Sequence, residues 1–375
     1  MKKTLLTICL VWMCFSLSAQ KIIDLSGKWS FSIDRQDNGE KEKWFSHTLN
    51  DFINLPGSMP EKLKGDEVTA KTQWTGSLYD SSYYYNPYME KYRKEGNIKF
   101  PFFLTPDKHY VGAAWYQKEV NIPADWKGER ILLFLERPHI ETTVWVNGQK
   151  TGMQNSLCVP HQYDITRYVR PGKCTITIRV DNRIKEINVG PDSHSITDQT
   201  QGNWNGIVGR ICLQTTPKTY FDDIQIYPEP EQKLARVKVV IKGTGTAKVK
   251  LSAESFNTDK KHIVPAIQQE IKLNKGVTET EMVLPMGNDM LLWDEFHPAL
   301  YKLKAEVTNG KKTEIKEIQF GMRRFEIKGK WFYVNGRKTQ LRGTVENCDF
   351  PLTGYAPMDV ESWDCLLYTS PSPRD

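Results

Sequence analysis

Three short runs between Tyr110 and Asn182 carry strand signals, and alternation of residue character within them is the spacing of a strand with one covered face. Trp115, Gln117, Glu119 and Asn121 alternate with Tyr116, Lys118, Val120 and Ile122. Ile131 to Leu135 is a short apolar run, and Val144 and Val146 alternate with Thr143, Trp145 and Asn147. Asn147-Gly148 follows directly, and the favoured two-residue hairpin turn needs positive φ at both central positions. Arg170-Pro171-Gly172 is a second turn signal, ahead of a strand from Cys174 to Val180. Strands at this spacing, with no long helical period between them, predict a β-sandwich.

Four motifs in order carry a family resemblance: Trp115-Tyr116 with Lys118 and Val120, Trp145-Val146-Asn147-Gly148, Asp164-Ile165-Thr166, and Gly206-Ile207 with Arg210. Together they resemble the sugar-binding jelly-roll domain of glycoside hydrolase family 2, whose members include β-galactosidases, β-glucuronidases and β-mannosidases. The resemblance spans residues 24 to 364. It implies a mainly β chain: a jelly-roll β-sandwich, an immunoglobulin-like β-sandwich, then a truncated first strand of a (β/α)8 barrel.

The chain begins as an export signal does. Lys2 and Lys3 precede an apolar run from Leu5 to Leu17, too short to span a bilayer, and Ser18-Ala19-Gln20 offers small residues for cleavage after Ala19. Residues 1–19 therefore read as a signal peptide, and the mature protein is expected to be periplasmic or secreted. No second apolar run of about 18 residues follows, so no membrane span is expected. The formal net charge of +6 is spread along the chain, without the basic stripe that nucleic-acid binding needs. Eleven Trp and 16 Tyr suit stacking on sugar faces, with core packing as the competing use. Two of the seven cysteines lie in the leader, and the others lack metal spacing. Isolated buried thiols are expected, with a Cys174–Cys212 disulfide as the alternative.

Residues 20–218 read as the jelly roll. Asp24-Leu25-Ser26-Gly27-Lys28-Trp29 resembles its opening strand, with Trp29 expected in the core. Leu55-Pro56-Gly57 matches a further family element. A stretch near 64–110, dense in aromatic and turn-forming residues, reads as an insertion. It either shapes a substrate subsite over the barrel mouth or packs as a flap, and its aromatic content argues against disorder. Residues 219–320 alternate as strands at Val237–Ile241, Ala247–Ala253, Ile267–Leu273 and Tyr301–Val307, with Gly243, Gly245, Asn274 and Asn309-Gly310 at turns. That spacing predicts the immunoglobulin-like sandwich.

Residues 321–364 resemble the opening of the barrel, through Trp331 to Arg337 and Gln340-Leu341-Arg342-Gly343. Barrel enzymes place active-site groups at the C-terminal ends of strands. The resemblance therefore implies substrate contacts at Arg342, Asn347 and Asp349. Asn347 stands where many members carry a histidine, which favours another sugar or a divergent subfamily. It also implies substrate binding by Asp192 and Asp198 in the polar loop after Ile187, and by Trp204 beside Asn205. Na+ or Mg2+ near Asp192 is the only cofactor implied, and only for the complete enzyme. Residues 365–375 depart from the family and read as read-through sequence, with Pro371 and Pro373 forbidding a longer helix.

Retaining glycosidases need two carboxylates about 5–5.5 Å apart. In the family both are glutamates on late barrel strands, the first after an asparagine, and no Asn-Glu pair follows Leu341 here. The resemblance thus implies an exported exo-β-glycosidase, β-galactosidase-like by default, acting on oligo- or polysaccharide. Both catalytic glutamates lie beyond this chain, which alone is expected to be inactive. A non-catalytic carbohydrate-binding protein is the alternative, and an adhesion protein of stacked sandwiches is a third.

Overall fold

The computed structural model describes residues 21–75, 81–99, 105–157, 159–185, 202–341, 343 and 350–369. They divide into two compact units, one from residues 22–215 with 343–375 and one from residues 216–342.

The first unit is a two-sheet sandwich. Its strands are β1 (Ile22–Asp24), β2 (Gly27–Asp34), β3 (Asp51–Leu55), β4 (Gly57–Ser58), β5 (Asp66–Glu67), β6 (Lys108–His109), β7 (Ala113–Ile122), β8 (Arg130–Pro138), β9 (Glu141–Val146), β10 (Gln149–Asn155), β11 (His161–Asp164), β12 (Gly172–Asp181) and β13 (Gly206–Thr216). One sheet runs β1-β13-β8-β11, with β4 added on β13; the other runs β10-β9-β12-β7-β2-β3. β5 and β6 form a separate ribbon. All the pairings are antiparallel. The core lies between the two main sheets: Leu133, Leu135, Ile211 and Leu213 face Trp29, Phe31, Tyr116, Val144, Ile176 and Ile178. Burying each such side chain contributes about 1.5–3 kcal/mol. Trp29 is a core residue, as its motif suggests.

Asn147 and Gly148 take φ of 50° and 76° between β9 and β10, the backbone that the turn signal requires. One expectation needs correction. Alternation predicts a wet outer face on β7 and β9, yet Trp115, Gln117, Thr143 and Trp145 are buried. Leu49, Trp44 and Phe45, from the segment between β2 and β3, cover that face. Phe45 stacks on Trp145 at 5.2 Å, and Trp115 lies 5.0 Å from Trp145. The Trp115 indole donates to Asp34 Oδ2 at 2.9 Å.

Within the insertion, the short helix α1 (Ser81–Tyr85) leads into a 3-10 turn over Pro87–Arg93. Tyr83 is buried and its hydroxyl donates to the Tyr92 carbonyl, while Tyr85 and Tyr88 are exposed. Asn86 accepts from the Tyr88 amide, with Pro87 at the first helical position, which is standard helix-start chemistry.

The second unit contains β14 (Tyr220–Glu229), β15 (Leu234–Phe256), β16 (Ile263–Pro285), β17 (Leu300–Asn309) and β18 (Lys312–Phe320). The expected separate strands Val237–Ile241 and Ala247–Ala253 are one strand of 23 residues. The first half of β15 pairs with β14 and the second with β17, while β16 follows it throughout. The register shifts between Gly243 and Gly245, opposite Leu273 and Gly276. Glycines at this bulge let both strands bend together, so the sheet wraps around one core of Val237, Val249, Leu251, Leu284, Tyr301 and Leu303. A three-stranded meander follows, β19 (Phe325–Lys328), β20 (Trp331–Val334) and β21 (Arg337–Thr339), with Asn335-Gly336 at its second turn. Phe325, Ile327, Trp331 and Leu341 stay exposed along it.

Among the described residues no helix is long and apolar enough to cross a membrane. Cys174 and Cys212 are both buried free thiols, not a disulfide, and burial pushes the Cys174 thiol up to about 11. The helix α2 (Val360–Thr369) carries five residues of the departing tail and stops two residues before Pro371.

Candidate functional site

One end of the first unit collects polar side chains that serve the backbone. Asn182 closes β12, and Asn203 and Asn205 precede β13; all three are buried. Asn182 Nδ2 donates to the Tyr110 carbonyl at 2.9 Å, and its Oδ1 accepts from Gly112 N at 2.8 Å. Asn203 Nδ2 donates to the Asn182 carbonyl and to Thr75 Oγ1, both at 3.0 Å. Asn205 Nδ2 donates to the Gly112 and Val180 carbonyls, at 2.9 and 3.0 Å, and its Oδ1 accepts from the Tyr116 hydroxyl at 2.8 Å. An amide has two donors and one acceptor oxygen, so it can stitch backbone that no ladder reaches. Replacing Asn205 with alanine leaves the buried Tyr116 hydroxyl without its acceptor and weakens the hold on Gly112 and Val180, which should cost about 1–3 kcal/mol. Urea unfolding, followed by tryptophan fluorescence, measures that loss.

Beside the asparagines, Trp204 is 4% exposed. His139 stacks on it at 4.5 Å between ring centroids, with 19° between planes. Burial pushes the His139 imidazole down to about 3, against a weaker opposing effect of the Asn203 side chain, so the ring is neutral at pH 7. Tyr355 lies 5.5 Å from the same indole. Its hydroxyl donates to Glu61 Oε2 at 2.8 Å. Burial raises the Glu61 carboxyl, but hydrogen bonds from Lys62 and Tyr355 outweigh it and hold the group below its usual range. The Ser58 hydroxyl donates to the Thr353 carbonyl.

A second polar feature sits at the close of β12. Asp181, fully buried, is within 3.0 Å of Arg179, 2.6 Å of Arg183 and 2.8 Å of Lys185. Asp37 pairs with both arginines at 2.6 Å, and Glu141 pairs with Lys185 at 2.8 Å. Three cations thus meet three carboxylates. Asp181, Arg179 and Glu141 are the buried members, and each has an opposite charge beside it, so they sustain burial that a lone charge would not.

Of the six substrate-contact positions expected from sequence, only Trp204 lies among the described residues. Asp192, Asp198, Arg342, Asn347 and Asp349 fall outside them. The structure buries Trp204 against His139 and Tyr355. Asn205, expected beside it toward the sugar site, is turned to the backbone. His139, Ser58, Glu61 and Tyr355 were not singled out from sequence, since nothing periodic marks them and their partners are far along the chain. Among the described residues no three His, Cys, Asp or Glu side chains gather as metal ligands. What the described site offers chemically is rigid placement of chain.

Comparison with known proteins gives the fold a lineage. The family model "Glycosyl hydrolases family 2, sugar binding domain" matches residues 22–217, and "Glycosyl hydrolases family 2" matches 219–323. A β-glucuronidase of Paenibacillus borealis is 24% identical over 89% of this chain and 51% of its own length. The β-galactosidase large subunit of Latilactobacillus sakei is 24% identical over 91% of this chain and 52% of its own. Among solved structures, the Ruminococcus gnavus β-glucuronidase in complex with D-glucuronic acid superposes with a TM-score of 0.60 at 19% identity, covering 87% of this chain and 50% of that one. The chain therefore spans about half the length of the curated relatives it matches.

Proposed function

The chain belongs to glycoside hydrolase family 2, and we propose that it forms the N-terminal part of an exported, retaining exo-β-glycosidase. The observation that carries this reading is the order of the two family matches, which together run almost unbroken from residue 22 to residue 323. The meander after them supports it, because Phe325, Ile327, Trp331 and Leu341 leave an apolar surface that a continuing barrel would cover. Curated relatives named β-glucuronidase and β-galactosidase make β-glucuronides and β-galactosides the first substrates to test.

In the complete enzyme, one barrel glutamate attacks the anomeric carbon while the other protonates the leaving oxygen, then activates water on the second step. On this reading neither lies in these 375 residues, which alone hydrolyse nothing. A cation would be held at Asp192, which lies outside the described residues. Export rests on Lys2, Lys3, the apolar run to Leu17 and the small residues to Ala19; N-terminal sequencing of the mature protein should begin at Gln20.

Sequencing the locus past the codon for Asp364 tests the reading. A frame that continues through a barrel with two strand-end glutamates supports it. A stop directly after Asp375 favours the non-catalytic carbohydrate-binding reading instead.

A further inference from the structure

Trp204 has no face left for a sugar. His139 is stacked on the indole, and Gly354 with Tyr355 closes over it. Stacking on a pyranose needs an open ring, and a 4% exposed indole offers none. Its partners point to a different task. Thr353, Gly354 and Tyr355 are consecutive, and each is fastened to the sandwich by a different group. Ser58 donates to the Thr353 carbonyl, Trp204 lies against Gly354, and Glu61 accepts from the Tyr355 hydroxyl at 2.8 Å. Gly354 has φ of 80°, where glycine is favoured, and a Cβ built there would stand 2.7 Å from the Trp204 Cβ. The glycine is thus needed both for its backbone and for the closeness of the indole. The His139 ring is stacked on the same indole, 4.5 Å between centroids, which adds to its fixing in place.

We propose that Trp204 is a positioning residue: it fixes the segment Phe350–Asp359 on the sandwich, and so sets where the chain leaving the first barrel strand stands in the active site. The kinetic half of this inference rests on the glycosidase reading; the structural half does not. A misplacement of about 1 Å can cost about a hundredfold in rate, so the anchor of a strand-end segment matters even without substrate contact.

Two readouts test it. In this chain, Trp204→Ala should speed hydrogen exchange of the amides of residues 353–359 about tenfold or more, leaving those of β7 and β12 unchanged. Gly354→Ala should give the same local change, and Trp204→Tyr, which keeps a ring there, should restore most of the protection. The double variant Trp204→Ala/Gly354→Ala should be no worse than either alone, because both break one contact. If Trp204→Ala loosens the whole sandwich, Gly354→Ala, which alters only the docked segment, decides. Unchanged exchange at 353–359 in Gly354→Ala overturns the inference. In the complete enzyme, Trp204→Ala should lower kcat about tenfold or more with KM within about twofold. A raised KM with unchanged kcat would instead make Trp204 a substrate contact. A complete protein that hydrolyses no glycoside defeats the glycosidase reading, while the exchange result still decides the anchor.

Discussion

Replacing Asp181 with alanine should cost about 1.5–3 kcal/mol, because the buried Arg179 loses a charged hydrogen-bond partner, whereas Arg183 and Lys185, each 36% exposed, can turn to water. Urea midpoints at pH 7 measure the loss. The effect should also depend on pH. Burial raises the Asp181 carboxyl, but hydrogen bonds from Arg183 and Lys185 and the charge of Arg179 outweigh it and hold the group well below its usual range. Asp37 moves the same way, its burial outweighed by hydrogen bonds from Arg179 and Arg183. A carboxyl that titrates lower in the folded chain leaves the unfolded chain binding more protons as the pH falls. Its contribution is therefore whole above the ordinary value of 3.8 and is lost on acidification below it. The gap between wild type and Asp181→Ala should narrow from pH 5 towards pH 2. A gap that stays constant over that range would show that the Asp181 carboxylate does not stabilise the fold in this way.

Trp145→Ala should be more damaging, at about 3–5 kcal/mol, although Trp145 lies on the side of its sheet away from the main core. The indole stacks against Phe45 and Trp115, and Lys150 lies 5.4 Å over its ring. Without it the covering segment between β2 and β3 loses its main partner. In thermal unfolding the midpoint should fall by about 6–20 °C for a domain of this size. A shift of a degree or less would mean that the segment adds little to stability.

These two sites also mark what the sequence could and could not tell. The alternation around Trp115 and Val144 identifies strands and their inward faces, and Asn147-Gly148 places the turn, because both signals are local. The outer cover is not legible, since Trp44, Phe45 and Leu49 follow no period and meet Trp145 about a hundred residues away. The immunoglobulin-like unit was legible as strands but not as bent ones, because a glycine pair reads equally as a turn or as a bulge. Asn182, Asn203 and Asn205 look like ordinary loop residues until the backbone groups they serve are in place. Trp204 drew notice as an aromatic beside the family's sugar-facing loop. Its enclosure depends on His139 and on Gly354 and Tyr355, which are distant in sequence and carry no signal of their own.

The most direct test of the glycosidase assignment is to express the complete reading frame and follow aryl β-glucuronides and β-galactosides by proton NMR. The assignment predicts hydrolysis in which the β-anomer of the free sugar appears first, with none from the 375-residue chain alone. A complete, folded protein that cleaves no aryl β-glycoside, β-mannosides included, or that releases the α-anomer first, would contradict it.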